Sequence, residues 1–240
     1  MAERKLPKRL YKDVSVISID EGYGIALDGN VLKTPAATVL STECLPLIEA
    51  VAMEWEGQKI EIDIQSLPLF RLLVASIDDV GPKREEVNRK TLQFGATDLL
   101  CYRAQEPPEL LNRQEKKWQP IINWVEEELN VSFRVTDSIS PSTQSQETLC
   151  AMGDVLATLT DLEMTAVSSV VTATGSLIVG LALEADVISP DTAADISILD
   201  EVYQMERWGK DKNVSDRHDQ IRKEICLAYR LLRTLQKKSI

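Results

Sequence analysis

The sequence predicts an α+β fold, in which a small N-terminal antiparallel β-sheet domain packs with a helix and a larger all-α helical bundle domain follows. Two observations predict this class. Residues 14–34 contain short β-favouring runs separated by turn residues, and most of the chain after residue 64 shows apolar residues at helical spacing. The chain has 240 residues, enough for two domains, which we expect at 1–90 and 91–240.

The N-terminal domain is predicted to be a β-meander followed by a helix. The β-favouring runs are 14–19, 23–27 and 31–34, and the turns between them are Asp20-Glu21-Gly22 and Asp28-Gly29-Asn30. Gly29 is predicted to be structural in its turn, and Pro35 to be structural by limiting the pairing of the third strand. A helix is predicted over 42–56, with an apolar stripe that ends at Trp55. We therefore expect Trp55 to be a structural residue facing the sheet.

The second domain is predicted to be mainly helical. Helical spacing and helix-boundary signals predict helices at 69–80, 83–94, 109–129, 147–158, 193–208 and 215–235. Two short β-like segments are expected at 99–103 and 132–136. A linker is expected at 138–144, because this stretch is rich in Ser and Thr and contains a proline.

An uncharged stretch at 164–183 has about the length of a membrane span. Acidic residues flank it on both sides, Ser and Thr dilute its hydrophobicity, and neither a Lys/Arg asymmetry nor an aromatic belt accompanies it. We therefore expect one central buried helix of a bundle and no membrane insertion.

The composition narrows the classes of partner. A formal net charge of −11 opposes binding to nucleic acid and to anionic membrane surfaces. The four cysteines are far apart and form no CxxC pair, so neither zinc nor redox chemistry is indicated. The basic N-terminus lacks an apolar core for a secretory signal, and we expect a solvated arm rather than an organellar presequence.

No set of residues predicts catalysis. His218 is the only histidine, and its charged neighbours predict an exposed helical position rather than a general base. Gly22-Tyr23-Gly24 lacks the spacing of a phosphate-binding loop and is expected to be a turn. The paired acids along the chain are expected to be solvated faces of helices. Thus no catalytic residue, metal site, cofactor or small-molecule substrate is predicted.

Residues 199–209, LDEVYQMERWG, predict an amphipathic helix that ends at a glycine. Glu201 and Glu206 fall near the edge of its apolar stripe. A polar interface rim and an ordinary ion pair with Arg207 or Lys210 explain these acids equally well. Trp208, at the helix end, is the tryptophan most expected to be exposed for contact.

Six short segments in order give the sequence a family resemblance. They are YKDVSV, GYGIALDGNVLKTP, AVAMEWEGQ, LPLFRLLVASIDDV, TDLLCYR and LDEVYQMERWG. Together they resemble the ATP12 chaperones of F1 ATP synthase assembly. This resemblance implies a non-enzymatic protein that binds the unassembled α subunit of F1 and prevents its aggregation before the hexamer assembles. Because no long presequence is evident, we expect a bacterial-type and therefore cytoplasmic member of this family, with the mitochondrial matrix as the alternative.

The same resemblance gives weight to acidic residues of the C-terminal domain. It makes Glu201, Glu206, Tyr203 and Trp208 the candidate partner-binding residues, without deciding between the two acids. Two other classes of function remain open at this point. One is a small-molecule enzyme with an acid-only site between the domains, and the other is a permanent structural subunit of the ATP synthase.

Overall fold

The computed structural model describes residues 6–20, 22–138 and 143–237, so the predicted linker and the start of the basic arm lie largely outside the described residues. The strands are β1 (Val14–Ile19), β2 (Gly22–Leu27), β3 (Asn30–Val31) and β4 (Ser41–Thr42). The α-helices are α1 (Leu45–Glu56), α2 (Pro68–Ala75), α3 (Arg84–Ala96), α4 (Pro108–Leu129), α5 (Gln146–Thr158), α6 (Asp161–Thr174), α7 (Leu177–Glu184), α8 (Pro190–Ser197), α9 (Leu199–Trp208) and α10 (Lys212–Leu235). The predicted α+β class is confirmed.

The chain divides into two compact units. Unit 1 comprises the described residues of Met1–Lys83 and Arg230–Ile240, and unit 2 is Arg84–Tyr229. The C-terminal helix α10 therefore begins in unit 2 and supplies its last residues to unit 1. The domain boundary predicted at residue 90 stays a prediction.

The sheet of unit 1 is built around β2. Strand β1 pairs with β2 antiparallel along its whole length, while β3 and β4 pair with β2 at two different places. Gly22 opens β2 with a φ of +123°, and a Cβ at this position would lie 2.6 Å from the carbonyl oxygen of Thr42. The glycines of 22–24 thus allow a close approach to β4, and the turn expected there is instead the start of a strand. Gly29, with a φ of +79°, lies in the turn between β2 and β3.

The first helix starts later than predicted. Thr42 belongs to β4, and α1 begins at Leu45 with Pro46 in its first turn, where the missing N–H costs nothing. Trp55, near the end of α1, is 6% exposed and makes edge-to-face contacts with the rings of Tyr11 and Phe70, at centroid distances of 5.9 and 5.1 Å. Trp55 therefore lies inside the apolar core of unit 1.

Asp78 holds the turn that contains Pro35. Its carboxylate accepts hydrogen bonds from the Thr34 hydroxyl at 2.7 Å and from the Ala36 N–H at 3.0 Å. The expectation of a solvated helix face is therefore wrong for Asp78. The helix predicted over 69–80 also changes character, because a π-helical turn at Ser76–Val80 follows α2.

The uncharged stretch at 164–183 forms two buried helices, α6 and α7, rather than the predicted single helix. Gly175 ends α6 with a φ of +74°, and the Ser176 hydroxyl then accepts a hydrogen bond from the Val179 N–H to begin α7. No helix in the described ranges combines the length and apolar character that a membrane crossing needs.

A buried carboxylate fixes the start of α7. Asp98 is fully buried and accepts hydrogen bonds from the Ser176 hydroxyl at 2.6 Å, the Ile178 N–H at 2.9 Å and the Leu100 N–H at 3.0 Å. Burial raises the pKa of Asp98 to about 6, although these hydrogen bonds favour the ionised form. Asp98 thus joins the segment after α3 to the first turn of α7.

Two further predictions need correction. The helix expected over 193–208 is divided at Ile198 into α8 and α9. The β-like segments expected at 99–103 and 132–136 form a 3₁₀ turn at Leu99–Cys101 and a single parallel bridge between Tyr102 and Thr136. A short apolar run alone does not distinguish these conformations from a strand.

Candidate functional site

The candidate partner-binding residues lie on α9 in unit 2. Leu199 and Tyr203 form its buried side, and α4 packs beside it. Trp208, the last residue of α9, is 78% exposed, as the sequence predicts. Gly209 follows with a φ of +98°, a conformation that favours glycine and turns the chain out of the helix. The helix therefore ends with a large aromatic ring presented to solvent.

Tyr203 supports two arginines. The guanidinium carbons of Arg113, on α4, and Arg207 lie 5.1 and 5.3 Å from the centre of its ring, at cation–π distance. Tyr203 is only 4% exposed, and its hydroxyl has no hydrogen-bond partner among the described residues. In this conformation the Tyr203 ring offers almost no surface to a partner. Its contribution to the site is to position Arg113 and Arg207.

Glu206 is part of an exposed charge cluster between α9 and α4. Its carboxylate lies 2.7 Å from the guanidinium of Arg113, and Arg207 lies 3.7 Å from Glu109. The ion pair considered from the sequence therefore exists, but Arg113 takes the place expected for Arg207 or Lys210. All four side chains remain about half exposed, so each pair adds at most about 1 kcal/mol to stability.

Glu201 lies in a different environment and joins α9 to α10. Its carboxylate contacts Nε2 of His218 at 2.7 Å and the guanidinium of Arg217 at 2.6 Å. His218 is 6% exposed, so the predicted exposed position of this histidine is wrong. The sequence placed His218 among charged neighbours, but it could not reveal that the imidazole contacts Glu201 of α9. Glu201 therefore contacts a buried side chain of α10, whereas the ion pair of Glu206 with Arg113 of α4 is half exposed.

Asp200 adds a polar contact between α9 and α4. Gln114, which is buried, donates a hydrogen bond to Asp200 at 2.8 Å and accepts one from the Ala104 N–H at 2.8 Å. Burial raises the pKa of Asp200, and the Gln114 hydrogen bond acts in the opposite direction. The expectation that the acid pair at 200–201 is a solvated face is therefore wrong.

We define the α9 surface as Trp208, Glu206, Arg207, Arg113 and Glu109. It combines an exposed aromatic ring with two arginines that stack on Tyr203 and two glutamates paired with those arginines, which is a composition suited to protein recognition. The sequence missed Arg113 and Glu109, because no local pattern on α4 shows which residues meet α9. In the described part of the chain, no group of three or more His, Cys, Asp or Glu side chains is arranged to hold a metal ion.

Comparisons with known proteins identify the family. The sequence model of the ATP12 chaperone protein family matches residues 8–126. The mitochondrial protein atp12 of Schizosaccharomyces pombe is 28% identical over 207 residues, which cover 81% of this chain and 70% of that protein. The crystal structure of Atp12 from Paracoccus denitrificans is 31% identical, with a TM-score of 0.92 over 95% of this chain and 98% of that chain. An aspartate-to-lysine mutant of the Paracoccus protein is 30% identical, with the same TM-score and the same coverage of both chains. The chain belongs to the ATP12 chaperone family.

Proposed function

We propose that this protein is an assembly chaperone for F1 ATP synthase, which binds the unassembled α subunit and prevents its aggregation before the hexamer forms. The observation that carries the proposal is family membership across almost the whole chain, at 30–31% identity to the Paracoccus structures. The α-subunit partner comes from the resemblance of the six sequence segments. An unassembled subunit exposes apolar surface that its neighbours later cover, and a chaperone must cover that surface first.

We propose the α9 surface as part of the contact with the α subunit. Trp208 has the size and exposure of an interface anchor, since tryptophan and arginine are enriched among residues that dominate binding energy. Glu206 and Arg207 would form a polar rim beside it, each able to exchange its present ion pair for one with the partner. Glu201 would contribute indirectly, because its contacts with α10 hold α9 in position.

This function requires no chemical step. Binding and release can both follow from competition, when the next subunit of the hexamer takes over the same apolar surface. We therefore propose a non-enzymatic protein with no cofactor. We also propose the bacterial cytoplasm as its location, with the mitochondrial matrix as the alternative, since the relatives include a bacterial and a mitochondrial protein.

The test is suppression of α-subunit aggregation. Chemically unfolded α subunit is diluted into buffer with and without this protein, and light scattering is recorded. We expect the parent protein to suppress scattering, and Trp208→Ala and Glu206→Lys to suppress it less while their thermal melts stay within a few degrees of the parent.

The matched control is Glu128→Lys, which makes the same charge change at an exposed position of α4. Glu128 lies roughly 20 Å along the helix from Arg113, at about 1.5 Å per residue. It should suppress scattering like the parent. Equal suppression by Trp208→Ala, Glu206→Lys and Glu128→Lys would remove the α9 surface from the proposal, and no suppression by the parent would remove the proposed function itself.

A further inference from the structure

Strand β1 forms an open edge of the sheet in unit 1. Among the described residues, β1 pairs only with β2, and the other side of β2 is occupied by β3 and β4. The N–H of Asp28 donates to the carbonyl of Asp13 at 3.1 Å, which identifies these opposite residues as a hydrogen-bonded pair. In an antiparallel ladder such pairs alternate along the strand. The N–H and C=O groups of Val14, Val16 and Ser18 therefore point away from β2.

These outward groups have no partner in the described part of the chain. No backbone or side-chain hydrogen bond between described residues reaches the N–H or C=O groups of Val14, Val16 or Ser18 on that side. The strand is six residues long and contains no bulge in its register with β2. Its sequence, VSVISI, also lacks the proline and lysine residues that commonly protect edge strands. The edge is therefore a template for another extended backbone.

The charges around the edge indicate what kind of strand it accepts. The described ionisable residues next to β1 in the sequence are Lys12, Asp13 and Asp20, one cation against two anions. Asp13 and Asp20 are both exposed. A second copy of this chain would bring the same acidic flanks and a formal charge of −11 to the edge, so repulsion opposes edge-to-edge dimers. An uncharged extended segment with basic flanks is complementary.

We propose that the β1 edge binds such a segment of the client polypeptide by strand addition, and this inference rests on the proposed chaperone function for the identity of the client. The outward N–H and C=O groups would pair with the client backbone, and alternate client side chains would lie beside Val14 and Val16. Recognition through the backbone suits a client that is not yet assembled, because it requires an extended conformation more than a particular sequence.

The test compares two substitutions at the exposed Ser18. Both Ser18→Pro and Ser18→Ala remove the hydroxyl, but only proline removes the outward N–H, and an edge strand tolerates proline at such a position. The probe is a labelled short peptide of alternating valine and threonine with lysines at both ends, measured by fluorescence anisotropy. We expect parent and Ser18→Ala to bind it alike, and Ser18→Pro to bind about tenfold more weakly or worse. The same peptide with terminal glutamates should bind the parent less tightly than the lysine peptide.

A second measurement on the parent protein keeps the test independent of how well the proline variant folds. Amide hydrogen exchange followed by NMR should show peptide-dependent protection at Val14, Val16 and Ser18. The amides of Ser15 and Ile17, already bonded to β2, should change much less. Absence of peptide binding by the parent, absence of this protection, or equal affinities of the two Ser18 variants would each overturn the inference.

Failure of this inference can be told apart from failure of the proposed function. If Ser18→Pro suppresses α-subunit aggregation as well as the parent, the chaperone function stands and the edge is not its client site. If the peptide protects the β1 amides of the parent but the parent does not suppress α-subunit aggregation, the edge binds strands as proposed, and its client is a protein other than the α subunit. A parent dimer that Ser18→Pro converts to monomer in sedimentation, without peptide binding, would assign the edge to a second copy and overturn the proposal.

Discussion

Replacing Trp55 by alanine should destabilise unit 1 rather than weaken a partner contact. Trp55 is 6% exposed and packs against Tyr11 and Phe70, so its loss leaves a cavity in the apolar core. Truncation of a buried tryptophan costs about 3–5 kcal/mol. The indole N–H has no hydrogen-bond partner among the described residues, and its removal offsets part of this cost. We therefore expect Trp55→Ala to lose about 3 kcal/mol of unfolding free energy, at the lower end of this range.

The assay is denaturant unfolding of the parent, Trp55→Ala and Trp55→Phe. Phenylalanine retains a ring for the contacts with Tyr11 and Phe70, removes the unpaired N–H and leaves a smaller cavity than alanine, so Trp55→Phe should lose clearly less unfolding free energy than Trp55→Ala. If Trp55→Ala unfolds like the parent but fails to suppress α-subunit aggregation, Trp55 is an interface residue and the account of unit 1 is refuted. If Trp55→Ala and Trp55→Phe lose equal amounts of unfolding free energy, the packing of the ring against Tyr11 and Phe70 is not the stabilising contact.

Three further predictions concern Asp98, the acids of α9 and ATP. Because the folded-state pKa of Asp98 is raised from 3.8 to about 6, its contribution to stability is fully present below pH about 4 and is lost as pH rises through about 6. The unfolding free energy of the parent minus that of Asp98→Asn should therefore fall by up to about 3 kcal/mol between pH 4 and 7, and a constant or rising difference would contradict this. Glu201→Lys should lower the unfolding free energy by about 1–3 kcal/mol, since it places a cation against Arg217 and His218, whereas Glu206→Lys should change it by less than about 1 kcal/mol. Equal thermal melts of these two variants would be evidence against the distinction between them. Calorimetry with ATP and magnesium should show no binding heat, because the sequence has no phosphate-binding loop, and micromolar affinity would contradict the prediction that the protein does not bind ATP.

Local sequence signals predicted much of the fold. Alternating apolar runs located β1 and β2, and helical spacing located most of the helices, because both patterns depend on the period of one element. The division of the uncharged stretch at Gly175 and Ser176 also has a local signal, a glycine helix end followed by a serine cap. The hydrogen bond from the Ser176 hydroxyl to Asp98 has no such local signal, because Asp98 lies 78 residues before Ser176 in the sequence.

The candidate site was predictable only in part. The position of Trp208 at the end of the predicted helix indicated that it would be exposed, whereas the helical pattern left the environment of the two acids open. The two acids differ in the helix that they contact. Glu201 pairs with Arg217 of α10, and Glu206 pairs with Arg113 of α4. The wrong prediction for His218 has the same cause. The charged residues beside it in the sequence do not show which other helix contacts it, so they could not show that His218 is buried.

The most direct test of the proposed function is recovery of a defined complex with the α subunit. The purified protein is mixed with α subunit refolded by dilution, and the products are separated by size-exclusion chromatography. We predict a soluble complex of the two chains that dissociates when the β subunit of F1 is added. Aggregation of the α subunit to the same extent with and without this protein, with no shared peak, would contradict the account.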